Sequence, residues 1–166
     1  YTAGAYAIAE GVRNVVAVGG TPIAATDCLN YGNPEKPDVF FDFEQGVQGI
    51  ADACQALGFN SGEPLPIVSG NVSFYNESKN GSAVIPSPVV VVVGRVEDYR
   101  RVRTMQVMES GLRLVLVSKR YSEWGGTELS KVVDGLAGGA PQVRFDEEKA
   151  ANLLKRSSMN SCLFLA

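Results

Sequence analysis

Apolar positions along this chain change period several times, and each change marks an element. Ala5, Ile8, Val12 and Val15 or Val16 recur at helical spacing, which predicts a helix over 4–18. Gly19-Gly20 ends it, and Pro22 begins the exit. IAATDCLN (23–30) follows as a short strand, and the Pro/Gly/Asn-rich YGNPEKPD (31–38) as a loop. Phe40, Phe43, Val47, Ile50, Cys54 and Leu57 then lie on one stripe of a second amphipathic helix. GFNSGEPLP (58–66) is a loop. VSGNVSFYNE (68–77) opens as a strand in which Val68, Gly70, Val72 and Phe74 face one side and Ser69, Asn71, Ser73 and Tyr75 the other. Asn80-Gly81 within 76–82 is a hairpin turn signal. The return strand, 83–95, carries VVVVV (89–93), a run that calls for cover on both faces.

The charged stretch RVEDYRRVRT (95–104) is where the pattern breaks, and it divides the chain into 1–98 and 99–166. Beyond it, LRLVLVS (112–118) reads as a strand and WGGTELSKVVDGL (124–136) as a glycine turn opening a helix. DEEKAANLLKR (146–156) is acidic at its start and basic at its end, as the helix dipole favours. The last ten residues, SSMNSCLFLA, have no clear period. There is no internal repeat and no low-complexity segment. The expected fold is layered α+β: helices packed on a mostly antiparallel sheet, followed by part of a second α+β domain.

Composition narrows the function classes. At 45% hydrophobic and 20% charged, the 166 residues read as globular and soluble. Fifteen Lys and Arg against eighteen Asp and Glu, well interspersed, give −3, with no basic groove for nucleic acid and no polybasic membrane anchor. The longest apolar run is too short to span a bilayer, and no secretion signal opens the chain. Tyr1 enters a helix almost at once, as in a segment of something longer. Cys28, Cys54 and Cys162 form neither a disulfide framework nor a zinc pattern, which fits a reducing cytoplasm, and the three N-x-S sequons (Asn71, Asn76, Asn80) are then accidental. Histidine is absent, so chemistry carried by these residues does without the commonest general acid–base group.

Two features carry candidate chemistry. Asp27 is in phase with Ile23, Ala25 and Leu29, an otherwise core-facing row. It is either a strand-end cap for the following loop or a carboxylate aimed at a ligand, where α/β sheets place their sites. The Ser69/Asn71/Ser73 ladder is either the solvated face of a hairpin or a polar site. In the second case an amide oxygen suits a hard cation, a serine hydroxyl suits a substrate, and Gly70 admits close approach. WGGTEL is a weak match to an anion-binding turn. No P-loop, G-x-G-x-x-G or metal box is present.

AEGVRNVVAVGGTPIAATDCLNYGNPEKPDVFFDFEQGVQGIADACQALG (9–58), PIVSGNVSFYNE (66–77) and VVVVVGRVED (89–98) closely resemble the phosphoribosylformylglycinamidine synthases. The likeness is to the second of that family's two repeated halves, in the synthetase subunit of purine biosynthesis, and continues more weakly through WGGTELSKVVDG. It implies an aminoimidazole ribotide synthetase-like N-terminal domain and an ATP-driven carbon–nitrogen ligase. That enzyme phosphorylates an amide oxygen of formylglycinamide ribotide and displaces the phosphate with glutamine-derived ammonia. By resemblance, Asp27 and Gly70 contact ATP, Asn71 ligates Mg2+, and Ser73 touches the ribotide, with no catalytic residue in this segment. The implied partners are the first half of the synthase and a glutaminase subunit or domain. The segment alone is expected to be inactive and to pair as a homodimer. The alternative is a nucleotide-binding or pairing module without turnover. Three departures from the family stand out: a longer loop FNSGEPLP, a tail from Ser157 that does not continue the family's helix, and the lack of the catalytic histidine and most metal-binding carboxylates, which by resemblance belong to the first half.

Overall fold

The computed structural model describes residues 1–106, 110–111, 114–136, 138–158 and 163–164. Cys162, most of the aperiodic tail, and positions 112 and 113 of the expected strand lie outside them. In chain order the elements are α1 (Thr2–Ala17), β1 (Thr21–Asn30), α2 (Pro37–Ala56), β2 (Ile67–Ser73), β3 (Ser87–Arg95), a 3-10 turn (Tyr99–Arg101), β4 (Leu114–Val115), α3 (Leu129–Val132), α4 (Phe145–Ser158) and β5 (Leu163–Phe164).

α1 and α2 lie against each other at close range because glycines face the contact. A Cβ added at Gly4 would stand 2.1 Å from the carbonyl oxygen of Gly46, and one at Gly49 would stand 2.1 Å from that of Tyr1. Ala5, Ile8, Ala9, Val12 and Val16 from α1 and Val39, Ile50, Ala53 and Cys54 from α2 are buried with Ala25 and Leu29 of β1. α2 begins earlier than its apolar stripe because Pro37 occupies the first turn, where its missing N–H costs nothing. Phe43 joins this helix to the sheet: its ring meets Tyr31 edge-on at 5.3 Å and Phe74 at 5.0 Å.

The layered α+β class holds, with a mixed rather than a mostly antiparallel sheet of order β2-β1-β3. β1 pairs β2 in parallel and β3 antiparallel. The expected hairpin between the two later strands is therefore corrected. The turn forms locally, with Gly81 at φ 80° and an isolated Glu77–Ala83 bridge. β1 nevertheless takes the place between the strands it connects, since a turn signal reports local geometry and not strand order. Pro22 is tolerated in β1 because β2 pairing starts only at Ala25 and a register shift lies beside Pro22.

The valine run is covered on one face only among the described residues. Val90 and Val92 pack against the core, and a Cβ at Gly11 of α1 would strike Val92 at 2.5 Å. Val89, Val91 and Val93 are 53%, 56% and 47% exposed. In the later part of the chain, the helix expected within 124–136 shrinks to the single turn of α3, where Thr127 Oγ1 accepts from the Ser130 amide and the β-branched pair Val132-Val133 and Gly135 follow. α4 carries Asp146, Glu147 and Glu148 in its first turn and Lys155 and Arg156 in its last. It leans on α1 and on the start of β1, where Arg156 donates to Thr21 Oγ1 at 2.9 Å.

Candidate functional site

The parallel register of β1 and β2 sets the geometry of the candidate residues. Asp27 stands beside Gly70, Cys28 beside Asn71, and Asn30 beside Ser73. Neighbours in register share a face. Asp27 and Gly70 therefore lie on the face that carries Ala25, Leu29, Val90 and Val92, toward the helices. Asn71 and Ser73 lie on the opposite face with Cys28 and Asn30. The four residues are brought onto two adjacent strands but divided between two faces.

On the helix side, the Asp27 carboxylate occupies the space above Gly70. A Cβ built on Gly70 would come 2.3 Å from Asp27 Oδ1. Glycine is required here because the neighbouring carboxylate fills the room that a side chain would take. Asp27 is half-buried and receives no hydrogen bond among the described residues. An unpaired carboxylate in such a place is costly unless a donor or cation meets it. Its field reaches α2: burial, aided by the Asp27 charge, pushes the Cys54 thiol up to about 11.

On the open side, Cys28 Sγ donates to Asn71 Oδ1 at 3.3 Å, and Asn30 Nδ2 donates to Cys28 Sγ at 3.6 Å. Asn76 closes the end of the ladder. Its amide nitrogen donates to the carbonyls of Tyr31 at 3.0 Å and Ser73 at 2.8 Å, and to Ser73 Oγ at 3.1 Å. Tyr75, at φ 59°, lets the chain turn out of the strand there. Cys28, Asn30 and Asn76 were missed as members of this site. Alternation along TDCLN already placed Cys28 and Asn30 together, but only the cross-strand register shows that they face Asn71.

Chemically, the site offers an amide oxygen and a hydroxyl on the edge strand β2 and a carboxylate on the opposite face of its neighbour β1. A magnesium ion needs several hard oxygen ligands. Asn71 Oδ1 could supply one, but Asp27 points to the other face, and the described residues contain no group of three His, Cys, Asp or Glu that could hold a metal. These residues do not by themselves form a magnesium site. Among the described residues, no helix is long and apolar enough to cross a membrane.

Three comparisons bear on this geometry. Over 153 residues the chain is 49% identical to a phosphoribosylformylglycinamidine synthase subunit PurL of Methanothrix thermoacetophila, covering 90% of this chain and 20% of that protein. It thus spans about a fifth of the length of this curated relative. It resembles the structure of Thermotoga maritima PurL complexed with AMPPCP, with a TM-score of 0.51 and 33% identity over 61% of this chain and 16% of that one. T. maritima PurL complexed with FGAR shares the fold over 94% of this chain and 20% of its own, with a TM-score of 0.59 at 22% identity. The AIR synthase related protein N-terminal domain matches residues 1–96, and with more than half of its length so matched, the chain belongs to the AIR synthase related protein family.

Proposed function

We propose that this chain is part of a carbon–nitrogen ligase of purine biosynthesis. The ligase would use ATP and glutamine-derived ammonia to convert formylglycinamide ribotide to its amidine. The identity to a phosphoribosylformylglycinamidine synthase subunit, 49% over 153 residues, supports this reading. The single structural observation that carries it is the register of β1 and β2, which sets the unpaired Asp27 carboxylate beside Gly70 one step from the Asn71–Ser73 column. In this reading Asp27 and the Gly70 backbone meet ATP, Ser73 meets the ribotide, and Asn71 gives one oxygen to a magnesium ion whose other ligands lie outside these residues. A ligand along the free edge of β2 reaches both faces.

The remainder of the site would come from the synthase's first half, and ammonia from a glutaminase subunit or domain, in the cytoplasm. We place the boundary between the two domains at 98/99. Alone, these residues would pair as a homodimer and not turn over. A second reading, a nucleotide-binding module without turnover, draws on the fact that β1, β2 and β3 carry one carboxylate between them and the chain no histidine. Assay of the full-length protein with ATP, ribotide and ammonia separates the two. Amidine formation coupled to ADP release is expected; nucleotide binding without amidine formation would overturn the ligase reading in favour of the module.

A further inference from the structure

A cavity away from β1 and β2 has a charge pattern that the ligase reading does not use. It opens between α1, the 116–121 stretch and α4 and measures about 320 Å3. Tyr6, Leu116, Pro141 and Ala151 give it apolar walls. Seven charged side chains line it: Arg13, Lys119, Arg144 and Lys155 against Glu123, Glu147 and Glu148.

Three of the cations are matched. Arg13 Nε faces Glu148 Oε2 at 3.6 Å, Lys119 Nζ faces Glu147 Oε1 at 3.1 Å, and Arg144 Nη1 donates to Glu123 Oε2 at 3.0 Å while its guanidinium sits 3.6 Å over the Tyr121 ring. Lys155 is the exception. It is 4% exposed, borders the cavity, and has no hydrogen-bond or ion-pair partner among the described residues. A buried ammonium with no paired anion is expensive for a fold to hold, and the one carboxylate whose charge reaches Lys155, Glu148, is already matched to Arg13. Burial, together with the charge of Arg13 and against the weaker pull of Glu148, holds the Lys155 pKa below the ordinary lysine range.

We propose that this cavity binds a small organic monocarboxylate, whose carboxylate pairs with Lys155 and whose apolar body lies against Tyr6, Leu116 and Pro141. The charge count selects this ligand class. One cation is uncompensated, so one negative charge completes the set. A phosphate dianion would bring a second charge into a site already holding three carboxylates. A neutral ligand would leave Lys155 as it is. The apolar walls supply the hydrophobic contact that a bare inorganic anion could not use.

Isothermal titration of the full chain with benzoate, benzamide and inorganic phosphate tests this. Saturable one-to-one binding of benzoate is expected, with benzamide and phosphate at least about tenfold weaker. Lys155→Met, close in size and without the buried charge, should weaken benzoate at least about tenfold, the range of a lost charge-assisted hydrogen bond. Absence of benzoate binding, phosphate bound as tightly, or unchanged binding by Lys155→Met would each overturn the proposal. Acylation of the unaltered protein with acetic anhydride, mapped by mass spectrometry, gives a readout that needs no variant. Benzoate should protect Lys155 and leave labelling of the exposed Lys79 unchanged; equal labelling of Lys155 with and without benzoate would count against the site.

Discussion

The carboxylate of Asp27 stands where a side chain at Gly70 would have to stand, so the two residues are mutually dependent although 42 residues separate them. Gly70→Ala should therefore be destabilising by about 1–3 kcal/mol, the usual cost of overpacking. With Asp27→Ala in the same chain the clash is gone. Chemical denaturation of the two single variants and the double variant should show a favourable coupling above about 0.5 kcal/mol, as for residues in contact. Strict additivity would mean that the backbone shifts and the contact is not the constraint.

Much of this fold is legible in the sequence because its signals are local. The stripes through Ile8–Val12 and through Phe43–Ile50 need only a period, and Asp27 announces itself by being out of place in an apolar row. What was illegible is non-local. Asn80-Gly81 specifies a turn, but nothing near it says that β1 will lie between the two strands it connects. The same register decides that Asp27 covers Gly70 while Cys28 meets Asn71. The two-faced division of the site follows from that pairing and from no single stretch of sequence. The isolation of Lys155 depends on how α4 meets α1, which no periodicity encodes.

Tyr31 is buried to within 1% of complete cover, and its hydroxyl has no hydrogen-bond partner among the described residues. Leaving a buried hydroxyl unsatisfied costs on the order of 1–3 kcal/mol. Tyr31→Phe should therefore be neutral or stabilising, against the usual direction of core substitutions. It should also soften the effect of Gly46→Ala, whose Cβ would fall 2.1 Å from that hydroxyl oxygen. Thermal melts of the two single variants and the pair check both statements; a clear loss of stability in Tyr31→Phe would reveal a partner for the hydroxyl.

The Cys54 thiol, raised from 9.0 to about 11, links stability to alkaline pH. Its folded-state pKa lies above the unfolded value, so the stability it confers is complete below pH 9 and is lost as pH rises toward about 11. At about 1.36 kcal/mol per unit, the loss attributable to this thiol approaches 2–3 kcal/mol. Other groups titrate in the same range, so the measurement is the difference between the parent chain and Cys54→Ala in denaturant titrations from pH 8 to 11. That difference should shrink with pH if the thiolate is disfavoured in the fold. Near neutrality, alkylation followed by mass spectrometry should label half-exposed Cys28 well before buried Cys54.

On the proposed ligase reading, Asn71→Ala in the full-length protein should reduce activity about 10–100-fold, the range for a disturbed metal shell, with a raised magnesium requirement. Cys28→Ala provides the contrast, because it removes the S–H donor from Asn71 Oδ1 but leaves the oxygen in place. Initial rates titrated with magnesium chloride distinguish them: a shift in Asn71→Ala with little change in Cys28→Ala supports the ligand assignment. An unaltered magnesium dependence in Asn71→Ala removes that residue from the metal.

Val89, Val91 and Val93 form an apolar row on the sheet face turned away from the helices, and both edge strands, β2 and β3, lack a further strand among the described residues. The sheet thus presents hydrophobic area and unpaired backbone groups together, a combination that favours association. A second copy of the chain offers the same row and edges, and a two-fold pairing would bury both at once. Light scattering on the purified chain should report a dimer whose dissociation depends on concentration. Val91→Lys puts a charge at the middle of the row, opposite Thr26 in register, without entering the helix-covered core. It should shift the equilibrium to monomer with little change in the unfolding midpoint measured at low concentration. Glu10→Gln, on the exposed side of α1, is the control and should leave the dimer intact. A parent chain that stays monomeric across the concentration range, or a Val91→Lys variant that dimerises equally well, would mean that this face is not where two copies meet.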